Sequence, residues 1–84
     1  MYNATIIIKL KKGVLNPEGN TIKRALAHLG YDMVKEAKTF KCIELVIDEP
    51  NEEKAYKLVE EMCIKLLSNP VIHNYEIKLE KIDK

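Results

Sequence analysis

The sequence predicts one α+β domain over residues 1–84, with the ferredoxin-like element order βαββαβ. Three observations predict this fold: alternation of apolar and polar residues at both ends of the chain, helical spacing in two separate segments, and a length that suits one domain. The simplest compact arrangement is a four-stranded antiparallel sheet with both helices on one face. The second face of the sheet is then left open.

The first strand is predicted over residues 2–10, because its side chains alternate between apolar and polar. Ala4, Ile6 and Ile8 share one face of this strand. Ile7 is the apolar exception on the other face. An apolar side chain on an open sheet face favours contact with another protein surface.

The first helix is predicted to begin at Asn16-Pro17 and to end at Gly30. The Asn side chain accepts hydrogen bonds from the free N–H groups of a first turn, and Pro has the φ angle that this position needs. Glycine suits the left-handed residue that ends many helices. The apolar residues between them have helical spacing and form a narrow stripe. They are Ile22, Ala25, Leu26 and Leu29.

Two further strands are predicted at residues 32–40 and 41–48, joined by a tight hairpin. The earlier strand is the more polar of the two. Val46 lies on the same open face as Ile7 if the first and third strands are neighbours. We therefore expect this face to bind a second copy, which would give a homodimer or a dimer of dimers.

The second helix has the clearest pattern in the sequence. Apolar residues repeat at helical spacing from Ala55 to Leu67, and Cys63 lies among them. Ser68-Asn69-Pro70 ends the helix, because proline disfavours helical geometry in the residue before it. Residues 71–81 then alternate again and predict the last strand.

Composition disfavours several classes of protein. The 14 basic and 13 acidic residues leave a net charge of +1, which does not favour a nucleic-acid partner. A content of 46% hydrophobic and 32% charged residues is typical of a folded domain. The apolar run at residues 4–8 is too short for a signal peptide or a membrane span. We expect a cytoplasmic protein without a membrane partner.

The sequence contains no recognisable catalytic or metal-binding pattern. Cys63 lies on the apolar stripe of the second helix, where a thiol behaves as a small hydrophobic group, and Cys42 has no neighbouring cysteine. Lys12-Gly13 is not followed by the Lys-Ser/Thr pair of a phosphate-binding loop. His28 and His73 are not paired by any motif. We therefore predict no catalytic residue, no metal site and no cofactor bound by this chain.

A local group of basic residues follows the first strand and continues into the first helix. It could meet an acidic partner surface or a phosphate, although in a lysine-rich chain such a group is more often a solvated face. Both interpretations stay open at this point. The residues are Lys9, Lys11, Lys12, Lys23 and Arg24.

Two distant segments, each centred on a helix boundary, carry a resemblance to a known family. They are Lys11-Lys12-Gly13-Val14-Leu15-Asn16-Pro17-Glu18-Gly19 and Glu61-Met62-Cys63-Ile64-Lys65-Leu66-Leu67-Ser68-Asn69-Pro70-Val71-Ile72-His73-Asn74-Tyr75-Glu76. In order and spacing they resemble PurS, the small subunit of phosphoribosylformylglycinamidine synthase, over nearly the whole chain. Family members often carry Asp and Gln where Asn16 and Glu18 stand. They often carry Gly-Lys-Tyr where this chain has Phe40-Lys41-Cys42, so Lys41 alone is retained there.

The resemblance implies an accessory, non-catalytic subunit of an ATP- and glutamine-dependent carbon–nitrogen ligase complex in purine biosynthesis. In that family the large synthetase subunit uses ATP and Mg, a glutaminase subunit supplies ammonia, and a PurS dimer bridges the two and helps ammonia pass. The resemblance also implies partner contacts in the two motif segments and beside them. The residues are Lys12, Gly13, Asn16, Pro17, Lys41, Asn69, Pro70 and His73.

Two other functions are compatible with the predicted fold. A stand-alone dimeric ligand-sensing module is one, because fold does not decide function. A specific rise in melting temperature with a small metabolite would favour it. The other is an acylphosphatase-like catalyst, which needs an arginine and an asparagine that hold phosphate. The sole arginine, Arg24, falls in the middle of a predicted helix, so this function has the least support.

Overall fold

The structure, a computed structural model, describes residues 1–82. Its elements in chain order are strand β1 (Tyr2–Leu10), helix α1 (Pro17–His28), strand β2 (Lys41–Ile47), helix α2 (Glu52–Met62), a π-helical turn (Cys63–Leu67) and strand β3 (His73–Lys81). Within residues 1–82, none of the helices is both long enough and apolar enough to cross a lipid bilayer.

The three strands form one antiparallel sheet in the order β2-β1-β3. The centre of the sheet is β1, which pairs with both neighbours along most of its length. Ile6 lies opposite Ile43 on one side and Ile77 on the other. Because side chains alternate between the faces of a strand, this register places the three isoleucines on the same face of the sheet.

The core lies between this face and α2. On the helix, Ala55, Val59 and Cys63 are buried at intervals of four residues, which is the spacing that keeps side chains on one face of a helix. Val59 and Cys63 form one cluster with the buried residues of β1, including Ile6 and Ile8. The amphipathic pattern of the second helix therefore predicted its buried centre, but Leu58 and Leu66, on the same predicted apolar face, are 41% and 82% exposed.

A π-helical turn extends α2 and then ends it. The Ser68 N–H donates to the Cys63 carbonyl at 2.9 Å, a bond from residue i+5 to residue i, and the Ser68 hydroxyl donates to the same oxygen at 2.8 Å. The wider turn replaces the last regular turn of the helix, and Leu66 is left 82% exposed. Pro70 follows and prevents the helix from continuing through Asn69.

The predicted strand at residues 32–40 is absent, so the described part of the sheet has three strands and not four. Residues 32–40 pair with no strand, and the hairpin predicted before Lys41 does not form. Neither face of an extended strand here would be consistently apolar, because Lys35 would share one face with Met33, and Glu36 and Lys38 would share the other with Val34. Its backbone is held instead by the start of α1, as described below.

The prediction that both helices cover one sheet face is correct for α2 and wrong for α1. Gly19 is the single buried residue of α1, and its apolar stripe remains accessible, with Ile22 40% and Leu29 73% exposed. The Cα radius of gyration is 16.7 Å, compared with about 12 Å for a compact domain of this length. The chain by itself therefore does not close around a complete core.

The ends of α1 match the sequence prediction. Asn16 caps the first turn, Pro17 is the first helical residue, and Gly30 follows the helix with a φ angle of 97°. The Gly30 N–H donates to the Ala27 carbonyl at 3.0 Å, and the Tyr31 N–H donates to the Leu26 carbonyl at 2.8 Å. These bonds satisfy carbonyls that the end of a helix leaves without partners.

We expect Cys63→Ala to lower the free energy of unfolding by about 1 kcal/mol, because it removes a small buried side chain from the contact between α2 and β1. Cys42→Ala is the matched control, since Cys42 is exposed, and it should change stability by less than about 0.5 kcal/mol. Urea unfolding measures both changes. Equal effects of the two substitutions would contradict this placement of the core.

Candidate functional site

The two motif segments, far apart in the sequence, lie side by side at one end of the sheet. Leu10, the last residue of β1, pairs with His73, the first residue of β3. Just beyond this pair, the Lys11 N–H donates to the Ile72 carbonyl at 2.7 Å. We call this region, residues 11–16 and 68–73, the motif end of the molecule.

Asn69 organises the turn that enters β3. Its backbone carbonyl accepts from the N–H groups of Ile72 at 3.1 Å and His73 at 2.8 Å, and its side-chain oxygen accepts from the Val71 N–H at 3.0 Å. The Asn69 N–H donates to the Nδ1 atom of His73 at 2.9 Å. His73 thus stabilises the turn.

Asn16 joins three parts of the chain at the other half of the motif end. Its side-chain oxygen accepts from the Gly19 N–H at 2.9 Å and from the Thr39 hydroxyl at 3.2 Å. Its side-chain nitrogen donates to the Thr39 carbonyl at 3.0 Å. Asn16 therefore caps α1 and also holds the segment that leads into β2.

Gly19 allows that segment to come close to α1. A Cβ atom added to Gly19 would overlap the carbonyl oxygen of Ala37. The absence of a side chain at this position lets the two backbones touch. Gly19 therefore has a packing role that its position in a helix would not suggest.

Eight of the ten residues predicted as contacts lie at or beside the motif end. Lys12, Gly13 and Asn16 lie in the loop after β1, and Pro17 begins α1. Asn69 and Pro70 lie in the turn before β3, which His73 begins. Lys41 begins β2 and lies opposite Ile8. The structure thus brings together residues that the sequence assigned to one function only through a resemblance.

Ile7 and Val46 lie elsewhere, on the open face of the sheet. Ile7 is half-buried, between Cys42 and Glu76 on the neighbouring strands, and Val46 is 61% exposed opposite Asn3. The four positions from Asn3 to Ile7 correspond to about 13 Å along the strand. The two side chains share a face, as predicted, but they do not form one continuous apolar patch.

The thiols are not arranged for catalysis. Cys63 is fully buried in the core, whereas Cys42 is exposed on the open face. Burial raises the pKa of the Cys63 thiol, and the nearby Glu60 carboxylate raises this pKa further. The thiol is therefore protonated at neutral pH and is not an activated nucleophile.

Metal-ligand side chains are also dispersed. In the part of the chain that the structure describes, no three His, Cys, Asp or Glu side chains come close enough to hold a metal ion. His28 lies in the last turn of α1 and His73 lies at the start of β3. The exposed motif end, where the two motif segments meet, is the candidate functional site.

Comparison with known proteins identifies the family. The family model for PurS, phosphoribosylformylglycinamidine (FGAM) synthase, matches residues 3–81. This chain belongs to the PurS family. The PurS subunit of phosphoribosylformylglycinamidine synthase from Methanocaldococcus jannaschii is 65% identical over 83 residues, which cover 99% of this chain and 100% of that protein. The family predicted from the two motif segments is therefore confirmed.

Solved PurS structures share the fold. The crystal structure of Methanocaldococcus jannaschii PurS aligns with a TM-score of 0.88 at 66% identity and covers 99% of this chain and 100% of that one. That protein is one of the subunits of formylglycinamide ribonucleotide amidotransferase in the purine biosynthetic pathway. A chain in the structure of PurLQS from Thermotoga maritima aligns with a TM-score of 0.82 at 33% identity, covering 95% and 99% of the two chains.

Several residues at the motif end were missed by the sequence prediction. Leu15 and Val71 are 69% and 78% exposed there, and Leu66, in the π-helical turn beside it, is 82% exposed. Leu15 and Val71 were identifiable in principle, because they are apolar and lie outside both helical stripes. Thr39 had no local signal, since its contact with Asn16 joins residues 23 positions apart in the chain.

We expect Asn16→Ala to destabilise the protein by about 1–2 kcal/mol, because it removes a helix cap together with the bonds to Thr39. Asn16→Asp retains the acceptor for Gly19 and should cost less. Asn51→Ala is the control, since Asn51 caps α2 through Lys54 and makes no tertiary bond in residues 1–82. The melting temperatures of the three variants, measured by thermal unfolding, rank their losses of stability. A larger loss for Asn51→Ala than for Asn16→Ala would contradict the joining role of Asn16.

Proposed function

We propose that this chain is the bridging, non-catalytic subunit of a cytoplasmic phosphoribosylformylglycinamidine synthase, and that it joins the synthetase and glutaminase subunits and assists ammonia transfer between them. As a PurS-family chain it is a subunit of this enzyme in purine biosynthesis. The observation that carries the bridging role is the meeting of both family motifs at one exposed end of the sheet.

The partners follow from the family. A Thermotoga maritima relative of this chain belongs to a structure of PurLQS, so we infer that the corresponding large and glutaminase subunits are the partners here. The large subunit uses ATP and Mg, and this chain contributes neither a nucleophile nor a phosphate loop. Its contribution is the surface formed by residues such as Lys12, Pro17 and Pro70, together with Lys41 beside them.

We also propose that the chain works as a homodimer or a dimer of dimers. Three features support a second copy: the exposed apolar stripe of α1, the half-buried inner face of β2, and the outer edge of that strand, which pairs with no other strand among residues 1–82. An apolar helix stripe needs an apolar surface to cover it, and a strand edge is a template for pairing. A second copy supplies the first with an apolar surface and a strand edge, and the same surfaces of the two copies are then buried symmetrically.

The decisive test of function omits this chain from the reconstituted complex. We expect glutamine-dependent amidine formation to be lost without it, although the isolated chain should neither hydrolyse glutamine nor bind ATP tightly, because glutaminase chemistry needs an activated nucleophile. Free ammonia in place of glutamine is the control and should restore part of the reaction. Full glutamine-dependent activity without this chain would reject the bridging role and favour the ligand-sensing alternative.

Self-association is tested with charged substitutions on α1 and on the open face. We expect Ile22→Asp, on the apolar stripe, to dissociate the dimer, whereas Ala27→Asp, on the opposite side of the helix, should not. The pair Ile7→Lys and Val46→Lys should remove only larger assemblies, since these side chains are separated on a polar face. Light scattering reports the mass of each variant. A dimer unaffected by Ile22→Asp would show that α1 is not at the interface.

A further inference from the structure

A basic cleft opens on the side of the motif end that faces α1. It lies between the end of β1, the first turn of α1 and the segment that leads into β2, and its volume is about 790 Å³. Four lysines line it, and Glu36 is the single acidic residue that does so among residues 1–82. We call this feature the lysine cleft. Its lysines are Lys9, Lys11, Lys12 and Lys38.

The lysines differ in how far their charge is already compensated. Lys38 lies 3.2 Å from the Glu36 carboxylate. The Lys9 ammonium lies 4.8 Å from the centre of the Phe40 ring, a favourable cation–π distance. Lys11 and Lys12 have no carboxylate within salt-bridge distance in the described residues. Lys11 and Lys12 are therefore the lysines of the cleft whose ammonium groups have neither a carboxylate nor an aromatic partner among residues 1–82.

The structure also divides the basic group that the sequence predicted. Lys9, Lys11 and Lys12 line the cleft, whereas Lys23 and Arg24 lie in the middle of α1 and do not. The basic group is thus two separate features. Only the residues from the end of β1 and the following loop face a concave surface.

Apolar side chains are exposed beside the charges of the cleft. Leu15 is 69% exposed, Phe40 is 54% exposed, and both line the cleft. A small inorganic anion would use the charges but not this apolar surface. A protein segment would use both, since protein interfaces combine apolar contacts at their centre with charge complementarity around them.

We propose that the lysine cleft binds an acidic segment of a partner subunit, whose carboxylates pair with Lys11 and Lys12 while an apolar side chain packs on Leu15 and Phe40. This inference rests on the proposed bridging function, and it adds the chemistry of the partner. The cleft adjoins Asn16 and Thr39, so the bonds between them also hold the cleft in shape. A glutamate-rich or aspartate-rich loop with one exposed apolar residue is the segment that fits.

The test measures assembly of the whole complex with charge-reversed variants. Lys11→Glu with Lys12→Glu should weaken binding of this chain to the other two subunits by at least about tenfold, because like charges then face each other. Lys54→Glu with Lys57→Glu is the matched control, with the same change in charge on two exposed positions of α2 outside both motif segments. It should change binding by less than about threefold.

Two further measurements separate the parts of the contact. Binding of the wild type should weaken as salt rises, because salt screens charge pairs, and the Lys11→Glu and Lys12→Glu variant should lose most of this dependence. Leu15→Ser should weaken binding without changing the salt dependence, since it removes apolar contact only. Unchanged unfolding midpoints show that the variants fold.

Each failure of this experiment has a separate meaning. If the wild type does not join the other subunits, the bridging function fails and the inference falls with it. If the wild type joins and the Lys11→Glu and Lys12→Glu variant joins equally well, the inference alone is overturned. A change confined to self-association would assign the cleft to a second copy. Saturable binding of inorganic phosphate by the isolated chain, with assembly unaffected, would assign it to a small anion; both outcomes overturn the proposal.

Discussion

The packing of α2 against the central strand β1 is the interaction on which the rest of the structure depends. Val59 and Cys63 pack on one face of β1, while the two edges of the same strand hold β2 and β3 in register. A shift of β1 by one residue would turn its buried isoleucines toward the open face. It would also separate Leu10 from His73, the pair that brings the two motif segments together. The pairing register of β1 with its neighbouring strands thus determines both which residues form the core and how the candidate site is assembled.

Incomplete burial is the second constraint on this molecule. A chain of 84 residues has little core to share among three strands and two helices, and here α2 alone covers the sheet. The exposed stripe of α1 and the exposed residues of the motif end are apolar surface that a single chain leaves in contact with water. For a subunit of an enzyme complex this is a useful property, because the same unburied surface that limits the isolated chain is area on which another protein surface can pack.

The motif end and the core have different chemical roles. Core groups such as Cys63 are protected from solvent, and burial keeps that thiol protonated. Groups at the motif end are held by hydrogen bonds through Asn16 and Asn69, which fix the backbone and leave lysine and leucine side chains outside. A rigid backbone that presents exposed side chains loses little freedom when a partner binds. This arrangement suits a subunit that positions other proteins.

The sequence by itself determined the features that depend on neighbouring residues and on the family. The faces of β1 and α2, the cap at Asn16, the helix end at Gly30 and membership of the PurS family were all predictable from local patterns and motifs. Only the tertiary structure decided that residues 32–40 form no strand, that α1 stays uncovered, and that Asn16 holds Thr39. These outcomes depend on contacts between residues distant in the chain, and the side-chain alternation of one segment carries no information about which surface it will meet.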